Sequence, residues 1–224
     1  MLCLLAKGGT DVALLSPDEN AAYWETRHRE KGDLRSGGHV SYDEATNQMF
    51  YIRRLAMLLE FIGHRSDPEA PLFILDAGCG KGWFSRELAK FGHQVDGIDL
   101  STHAIELCRQ RGGGARYWKS SLSGWRSPAL YDVVVSIDVL FHILDDDEWK
   151  RTVRNLASLV RLGGELIVSD WGEDDVRVYG NYQVVRGRQS YLPLLAERGF
   201  RFDGWHPYNF RGSPIGFYVF VRTR

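Results

Sequence analysis

The chain has 224 residues, of which 44% are hydrophobic and 25% are charged, as in an ordinary globular protein. This composition excludes a largely disordered chain, and the length suits one α/β domain with an N-terminal extension. The 28 Lys and Arg residues are balanced by 29 Asp and Glu residues, which argues against the basic surface that binding to large nucleic acids requires.

The N-terminal part is predicted to be helical. Residues Met1–Lys7 are apolar, but their basic residue follows the apolar run, so we expect a loose terminus or a surface strand rather than a signal peptide. A short helix is predicted around residues 20–28, followed by a mobile loop rich in glycine and charge from Gly32 to Gly38. The Ser41–Glu44 segment has the spacing of a capping box, and apolar residues at helical steps predict a long helix over about residues 43–62.

From Leu72 onward, short β-rich runs alternate with helical runs. Such alternation predicts βαβ units and a parallel sheet that is covered on both faces. The predicted strands are residues 72–75, 95–98, 116–118, 133–137 and 166–168. The predicted helices between them are residues 83–91, 104–111 and 149–160.

The C-terminal part follows a different pattern. Residues 190–198 predict a last helix, and residues 200–205 and 217–221 predict two strands. The segment between these strands is too short for a crossover helix, so we expect an antiparallel pair at the sheet edge. We divide the chain into an N-terminal helical lid, residues 1–65, and a Rossmann-like domain, residues 66–224.

The most informative segment is Leu75-Asp-Ala-Gly-Cys-Gly-Lys-Gly82, which lies between a predicted strand and a predicted helix. Gly78 and Gly80 would allow a tight turn and a close approach of the backbone to a ligand, and Gly82 would open the helix. A dinucleotide-binding fingerprint needs another glycine where this chain has Trp83. A nicotinamide-dependent oxidoreductase is therefore the weaker alternative.

An acidic residue, Asp99, ends the next predicted strand. An α/β nucleotide site presents a carboxylate to the ribose hydroxyls at about this place. A carboxylate matches a vicinal diol, and hydrogen bonds to a charged group are the strong ones. We therefore predict that Asp99 binds a ribose.

Several motifs together resemble a known family. The Asp76–Gly82 segment resembles the first motif of class I S-adenosylmethionine-dependent methyltransferases, and Gly97–Ser101 resembles the second. Residues 131–142 resemble the fourth strand of these enzymes with its following loop, and residues 162–166 resemble the turn before the fifth strand. The ordered set covers roughly residues 72–170 and is highly specific. It implies S-adenosylmethionine as cofactor and a seven-stranded, mostly parallel sheet whose last strand is antiparallel.

The resemblance also implies roles for single residues. The aspartate and first two glycines of the first motif would surround the amino-acid part of the cofactor, Asp99 its ribose, and Leu100 one face of its adenine. Ser121 stands where the family usually has an acidic residue, so a neighbouring main-chain carbonyl would contact the adenine amino group instead. The predicted cofactor-binding residues are Asp76, Gly78, Cys79, Gly80, Asp99, Leu100, Ser121, Leu122 and Ile137.

His142 lies just beyond the fourth predicted strand, at the edge where open α/β sheets bind ligands. In relatives that methylate small-molecule hydroxyls, a histidine at this place acts as general base, and an imidazole with a pKa of about 6.5 suits that role. We therefore predict a small-molecule O-methyltransferase with His142 as catalytic base. Positioning of the substrate or a structural role for His142, N-methylation, and a non-catalytic S-adenosylmethionine-binding protein are the alternatives.

The remaining polar motifs give weaker signals. Asp145–Asp147 has oxygen ligands that suit Mg²⁺, but acidic residues before a helix also interact favourably with its dipole, so we predict no metal. Cys3, Cys79 and Cys108 form no C-x-x-C pair, which favours a reducing cytoplasm. The longest apolar stretch, residues 133–143, is shorter than the roughly 20 residues that span a bilayer, so we predict no transmembrane segment.

Aromatic residues occur on both sides of the motif region. Tyr23 and Trp24 either belong to a cover over the site or pack on the core. A second, C-terminal group either lines an acceptor cavity or fills the sheet edge. This group is Tyr179, Tyr182, Trp205, Tyr208 and Phe210.

Overall fold

The computed structural model describes residues 13–63 and 70–224. The interpretation of Met1–Lys7 and the predicted boundary between residues 65 and 66 lie outside the described residues. Seven α-helices are described: α1 Pro17–Glu30, α2 Asp33–Gly37, α3 Glu44–Gly63, α4 Trp83–Lys90, α5 Thr102–Arg111, α6 Asp146–Ser158 and α7 Arg188–Ala196. None of these helices is long and apolar enough to cross a membrane.

The described segments also contain nine β-strands. They are β1 Phe73–Ala77, β2 Gln94–Asp99, β3 Arg116–Lys119, β4 Tyr131–Ser136, β5 Val160–Trp171, β6 Arg177–Tyr179, β7 Gln183–Val185, β8 Phe200–Pro207 and β9 Ile215–Arg222. Seven of them form one sheet in the order β3-β2-β1-β4-β5-β9-β8.

The pairing of these strands confirms the predicted Rossmann-like sheet. Strands β1 to β5 pair in parallel, whereas β9 is antiparallel to both β5 and β8. The last strand of the chain therefore lies inside the sheet, and β8 forms its edge. Strands β6 and β7 form a separate antiparallel hairpin that the sequence pattern did not predict.

Buried side chains cover both faces of the sheet. Ile74, Val133 and Val135 pack on the face that carries α3 and α4, and Leu75 and Val134 pack on the face that carries α6 and α7. Neighbouring residues of a strand point to opposite faces, so two-sided burial requires a continuous apolar run such as that of β4.

The order of the strands places the candidate site. The sheet is wound in opposite directions from β1, with β2 on one side of it and β4 on the other. Open α/β sheets bind ligands in the crevice outside the carboxyl ends of the strands at such a point. The loops after β1, β2, β3 and β4 carry the predicted site residues to this edge.

The segment Gly32–Gly38 is not the predicted mobile loop, because it contains helix α2. The buried guanidinium of Arg27 holds this helix in place. It donates to the main-chain carbonyl oxygens of Ser36 at 2.7 Å, Gly38 at 2.8 Å and Arg35 at 3.2 Å. Local composition favoured a loop, and this contact from the preceding helix overrides it.

The predicted capping box of the long helix is also wrong. Helix α3 is capped by Asp43, whose carboxylate accepts a hydrogen bond from the Thr46 N–H at 2.7 Å. The Ser41 hydroxyl instead lies 2.8 Å from Nδ1 of His39. The helix itself agrees with the predicted one to within about one residue.

Candidate active site

A cavity of about 2060 Å³ lies between the N-terminal helices and the carboxyl ends of the central strands. A pocket for one drug-sized ligand has roughly 300 to 1,000 Å³, so this cavity has room for a cofactor and an acceptor together. All ten predicted site residues line it: Asp76, Gly78, Cys79, Gly80, Asp99, Leu100, Ser121, Leu122, Ile137 and His142.

The glycine loop has left-handed backbone at two of the predicted positions, with φ of +85° at Gly78 and +51° at Gly80. A Cβ atom at Gly78 would lie 2.5 Å from Cγ2 of Val139, so a larger residue would collide there. The N–H groups of Gly78 and Cys79 both donate to the carbonyl oxygen of Ile98, at 2.8 and 3.0 Å. The loop is therefore tied to β2 while its other surface faces the cavity.

The side chain of Cys79 belongs to a small buried cluster with Ile105, Cys108 and Tyr117. Burial raises the pKa of the Cys79 thiol well above its usual value. A thiol of this kind is unreactive. We therefore expect the main chain of Cys79, rather than its thiol, to face a ligand.

Two carboxylates flank the glycine loop. Asp76 is buried and accepts a hydrogen bond from the Ser85 hydroxyl at 2.5 Å, and burial raises its pKa to about 6. One oxygen of Asp99 accepts from the Gly80 N–H at 2.9 Å, and the other accepts from the Ser101 N–H at 2.8 Å. These bonds fix the Asp99 carboxylate and leave it further lone pairs for a ligand.

The predicted adenine end of the cavity is mostly apolar. Leu100 is 56% exposed, and Leu122 and Ile137 are almost buried beside the cavity. The Ser121 hydroxyl accepts a hydrogen bond from the Gly124 N–H at 3.1 Å and so stabilises the turn after β3. Its O–H group keeps its capacity to donate.

The ring of His142 is held by main-chain and aromatic contacts. Its Nδ1 lies 2.9 Å from the carbonyl oxygen of Tyr182, and its ring centroid lies 4.5 Å from that of Trp24. A carbonyl oxygen only accepts, so Nδ1 carries the proton and Nε2 of the neutral ring has a free lone pair. Burial lowers the pKa of His142 to about 4, which keeps the ring neutral at physiological pH.

The sequence analysis missed Arg54, a fully buried residue of α3 that lines the cavity. Its Nη1 donates to the carboxylate of Asp138, and its guanidinium lies 4.0 Å from the ring centroid of Phe50 and 4.4 Å from that of Tyr51. Asp138 itself has left-handed backbone with φ of +57°, which is uncommon outside glycine. A charged residue within the apolar stripe of α3 is the sequence signal that identifies Arg54.

Comparison with known proteins identifies the domain. Residues 74–164 match a family model described as a methyltransferase domain. Over these residues the chain therefore matches a methyltransferase domain. The matched residues run from β1 into β5 and contain all nine predicted cofactor-binding residues. The match and the solved neighbours described below support S-adenosylmethionine as the cofactor.

Curated relatives of this methyltransferase domain include two bacterial ubiquinone biosynthesis O-methyltransferases. The protein from Nitrosospira multiformis is 36% identical over 102 residues, which cover 43% of this chain and 41% of the relative. The protein from Proteus mirabilis is 31% identical over 117 residues, which cover 50% of this chain and 46% of the relative. The matches thus span less than half the length of these relatives.

Solved structures show that the fold extends beyond the matched residues. The magnesium protoporphyrin IX methyltransferase of Synechocystis PCC 6803 has 21% sequence identity and a TM-score of 0.71, covering 96% of this chain and all of the other. The 1,6-didemethyltoxoflavin-N1-methyltransferase of Burkholderia thailandensis has 20% sequence identity and a TM-score of 0.67. The match covers 96% of this chain and 94% of the other. Both are methyltransferases with the same overall fold.

The residues of the methyltransferase domain and its N-terminal helices fit a polar ligand. Five buried polar atoms that belong to cavity-lining residues have no hydrogen-bond partner within the described part of the chain: Asn20 Oδ1, His28 Nδ1, Arg54 Nη2, Thr152 Oγ1 and Trp171 Nε1. Each such atom costs on the order of 1 to 3 kcal/mol when it stays unpaired. Three of these atoms belong to Asn20, His28 and Arg54 of the N-terminal helices, so this lining adds polar groups to those of the glycine loop and Asp99.

The aromatic residues near the C-terminus divide into two groups. Tyr179 and Tyr182, on the β6–β7 hairpin, line the cavity. Trp205, Tyr208 and Phe210 pack into the core around the sheet edge. The hairpin therefore contributes aromatic side chains to the cavity, whereas the other three residues support the fold.

The acidic run before α6 has a structural role. Asp145 is the N-cap of this helix, and its carboxylate accepts from the Glu148 N–H at 2.7 Å. Asp146 and Asp147 lie in the first turn, where negative charge interacts favourably with the helix dipole. Among the described residues, no cluster of His, Cys, Asp or Glu is arranged to hold a metal ion.

Proposed function

We propose that the chain transfers a methyl group from S-adenosylmethionine to a hydroxyl group of a small molecule, with His142 as general base. The observation that carries this proposal is the continuous cavity. One end contains the glycine loop and Asp99, and the other contains His142 beside the aromatic residues Trp24 and Tyr182. A methyl donor and a ring-shaped acceptor would meet between these two ends.

The cofactor end offers a matching group for each part of the donor. Asp99 would accept hydrogen bonds from the ribose hydroxyls, and Leu100 would cover the adenine. Asp76 would face the ammonium group, and the free Nη2 of Arg54 would donate to the carboxylate. When bound, the cofactor supplies a methyl group already activated by its positively charged sulfonium.

The remaining work of the protein is to align the acceptor and to take up its proton. The free Nε2 of His142 would receive the hydroxyl proton while the Tyr182 carbonyl holds the opposite nitrogen in its N–H form. A base with a pKa of about 4 is poorly matched to an aliphatic alcohol, whose proton is far less acidic. Together with the aromatic lining, this favours a phenol or an enol as acceptor.

Within the predicted lid, residues 1–65, helices α1 and α2 would cover the cavity, whereas α3 packs on the sheet. Helix α1 is held to the domain by Glu25, which accepts from the Ser101 hydroxyl at 2.6 Å and from the His103 N–H at 3.2 Å. Asn20 also donates to the His142 carbonyl oxygen at 2.8 Å. These few polar contacts suit a cover that opens for ligand exchange. We further propose a cytoplasmic protein with no nucleic-acid partner.

Acceptor screening tests this function. The protein is incubated with methyl-deuterated S-adenosylmethionine and paired phenols, anilines and aliphatic alcohols, and products are identified by mass spectrometry. We expect one labelled methyl group on a phenolic oxygen. A label on nitrogen alone would support the N-methyltransferase alternative, which the toxoflavin enzyme exemplifies. Cofactor binding without transfer to any acceptor would support a non-catalytic binding protein.

A further inference from the structure

His28, on helix α1, is a buried histidine whose environment provides too few hydrogen bonds. The residue is 4% exposed and lines the cavity, and its Nδ1 has no hydrogen-bond partner among the described residues. Because Nδ1 is enclosed and makes no hydrogen bond, we place the proton of the neutral ring on Nε2, the nitrogen nearer to the glycine loop. The N–H at Nε2 is then a donor that lies 3.9 Å from the Cβ position of Gly80.

The position of His28 identifies the part of the cavity concerned. A Cβ atom at Gly80 would lie 3.2 Å from Cε1 of His28, so the imidazole lies directly against the glycine loop. The Gly80 N–H donates to the Asp99 carboxylate, the predicted ribose ligand. Burial lowers the pKa of His28, and the negative charge of Asp99 opposes this shift. His28 and Asp99 therefore both lie next to Gly80.

We propose that His28 is a cofactor-binding residue that hydrogen-bonds a ribose hydroxyl held by Asp99. This inference rests on the proposed use of S-adenosylmethionine. A carboxylate only accepts, so Asp99 can receive the hydroxyl hydrogens but leaves the hydroxyl oxygens with free lone pairs. An imidazole N–H of His28 supplies the donor that the diol then lacks.

The contact has a consequence for the acceptor end. Trp24 lies one helical turn before His28, and its ring touches that of His142. A bound ribose that engages His28 would therefore hold helix α1 in the position that covers the base. Cofactor binding and acceptor binding would share this helix.

Calorimetry with His28→Leu tests the proposal. The ligands are S-adenosylhomocysteine and its 2′-deoxy and 3′-deoxy analogues. We expect His28→Leu to weaken S-adenosylhomocysteine roughly 2- to 13-fold, the range for one neutral hydrogen bond. The variant and the wild type should bind one of the two deoxy analogues equally well. Arg29→Ala, which changes the next residue of the same helix, is the matched control and should bind like wild type because the Arg29 side chain is 63% exposed.

Two results would overturn the proposal. In the first, His28→Leu binds S-adenosylhomocysteine as tightly as wild type does. In the second, the variant loses the same factor in affinity for all three ligands, which would place the effect away from the ribose. If His28→Leu does not fold, the same comparison is made with His28→Phe, whose ring fills similar space without a nitrogen and should show the same loss of affinity. Failure of wild type to bind S-adenosylhomocysteine would instead contradict the proposed function itself.

Thermal unfolding of the ligand-free protein separates a binding role from a structural role. Leucine removes the unpaired nitrogen, so His28→Leu should have the melting temperature of wild type or a higher one. Added S-adenosylhomocysteine should stabilise the variant less than wild type. A lower melting temperature with an unchanged ligand-induced shift would identify His28 as structural and contradict the inference.

Discussion

The Nδ1 atom of His142 lies 2.9 Å from the main-chain carbonyl oxygen of Tyr182. This contact joins the end of the fourth strand to the β6–β7 hairpin, and it assigns the proton of the neutral ring to Nδ1. The Tyr182 ring also lies nearly parallel to the imidazole at 5.9 Å. The hairpin therefore orients the proposed base, much as a carbonyl or carboxylate orients catalytic histidines elsewhere.

Replacing His142 by glutamine tests its role as base. We expect kcat to fall roughly 10²- to 10⁴-fold, the range for a lost general base, while affinity for S-adenosylhomocysteine stays unchanged. A rise in KM with a nearly normal kcat would show instead that His142 positions the acceptor. Steady-state kinetics and calorimetry on the same preparations distinguish these results.

The pH profile provides an independent test of the same residue. A histidine with its ordinary pKa of about 6.5 would produce a rise in rate near that pH. Burial lowers the pKa of His142 to about 4, and only the unprotonated ring accepts a proton. The rate should therefore rise as pH increases through about 4. Between about pH 6 and 8 the protonation state of His142 should no longer change the rate. A wild-type limb near 6.5 that disappears in His142→Gln would contradict the burial of this ring in the active form.

Asp99→Ala should weaken binding of S-adenosylhomocysteine by roughly 10- to 150-fold. Hydrogen bonds to a charged group contribute on the order of 1.5 to 3 kcal/mol, and the variant removes the proposed ribose ligand. Because Asp99 also accepts from the Gly80 and Ser101 N–H groups, circular dichroism must show that the variant is folded. Unchanged affinity in a folded variant would remove Asp99 from the site.

Gly80→Val should abolish detectable binding of S-adenosylhomocysteine at ordinary concentrations. The residue has φ of +51°, and its new side chain would point toward His28 and the cavity. Gly92→Val is the matched control, because Gly92 also has a positive φ, +90°, but no atom lies within 4 Å of its Cβ position and the residue does not line the cavity. The control variant also has a side chain at positive φ, but this side chain does not enter the cavity. An equal loss of affinity for S-adenosylhomocysteine in both variants would therefore count against the glycine loop as the binding element.

Asp76 should make stability depend on pH. Burial raises its pKa to about 6 in the folded state, whereas the unfolded chain ionises near 3.9. The folded state then binds the proton more tightly, so stability should fall as pH rises from about 4 to 6, by roughly 3 kcal/mol. Asp76→Asn should remove this part of the fall in urea titrations. Burial also raises the pKa of Asp170 to about 7, so a fall in stability that is due to Asp170 should remain in the Asp76→Asn variant. An identical pH dependence in wild type and Asp76→Asn would contradict the raised pKa.

The features that the sequence predicted well depend on local signals. The glycine loop, Asp99 and His142 each follow a strand of the parallel sheet, and the sheet topology brings the ends of such strands together. Helix α1 begins at a capping box formed by Ser16 and Glu19, which is also a local signal. These elements required no knowledge of distant contacts.

The features that it missed depend on contacts between distant residues. Helix α2 forms in a glycine-rich segment because Arg27 binds its carbonyl oxygens. Arg54 becomes part of the cavity only where α3 meets Asp138, 84 residues further along the chain. The strands of the β6–β7 hairpin have three residues each, too few to show a periodic pattern.

The most direct test of the central claim is calorimetric titration of the wild-type protein with S-adenosylhomocysteine and, separately, with NADH. The account predicts saturable binding of S-adenosylhomocysteine at one site per chain and no binding of NADH, because Trp83 replaces the glycine that a dinucleotide fingerprint needs. Binding of NADH without binding of S-adenosylhomocysteine would contradict it.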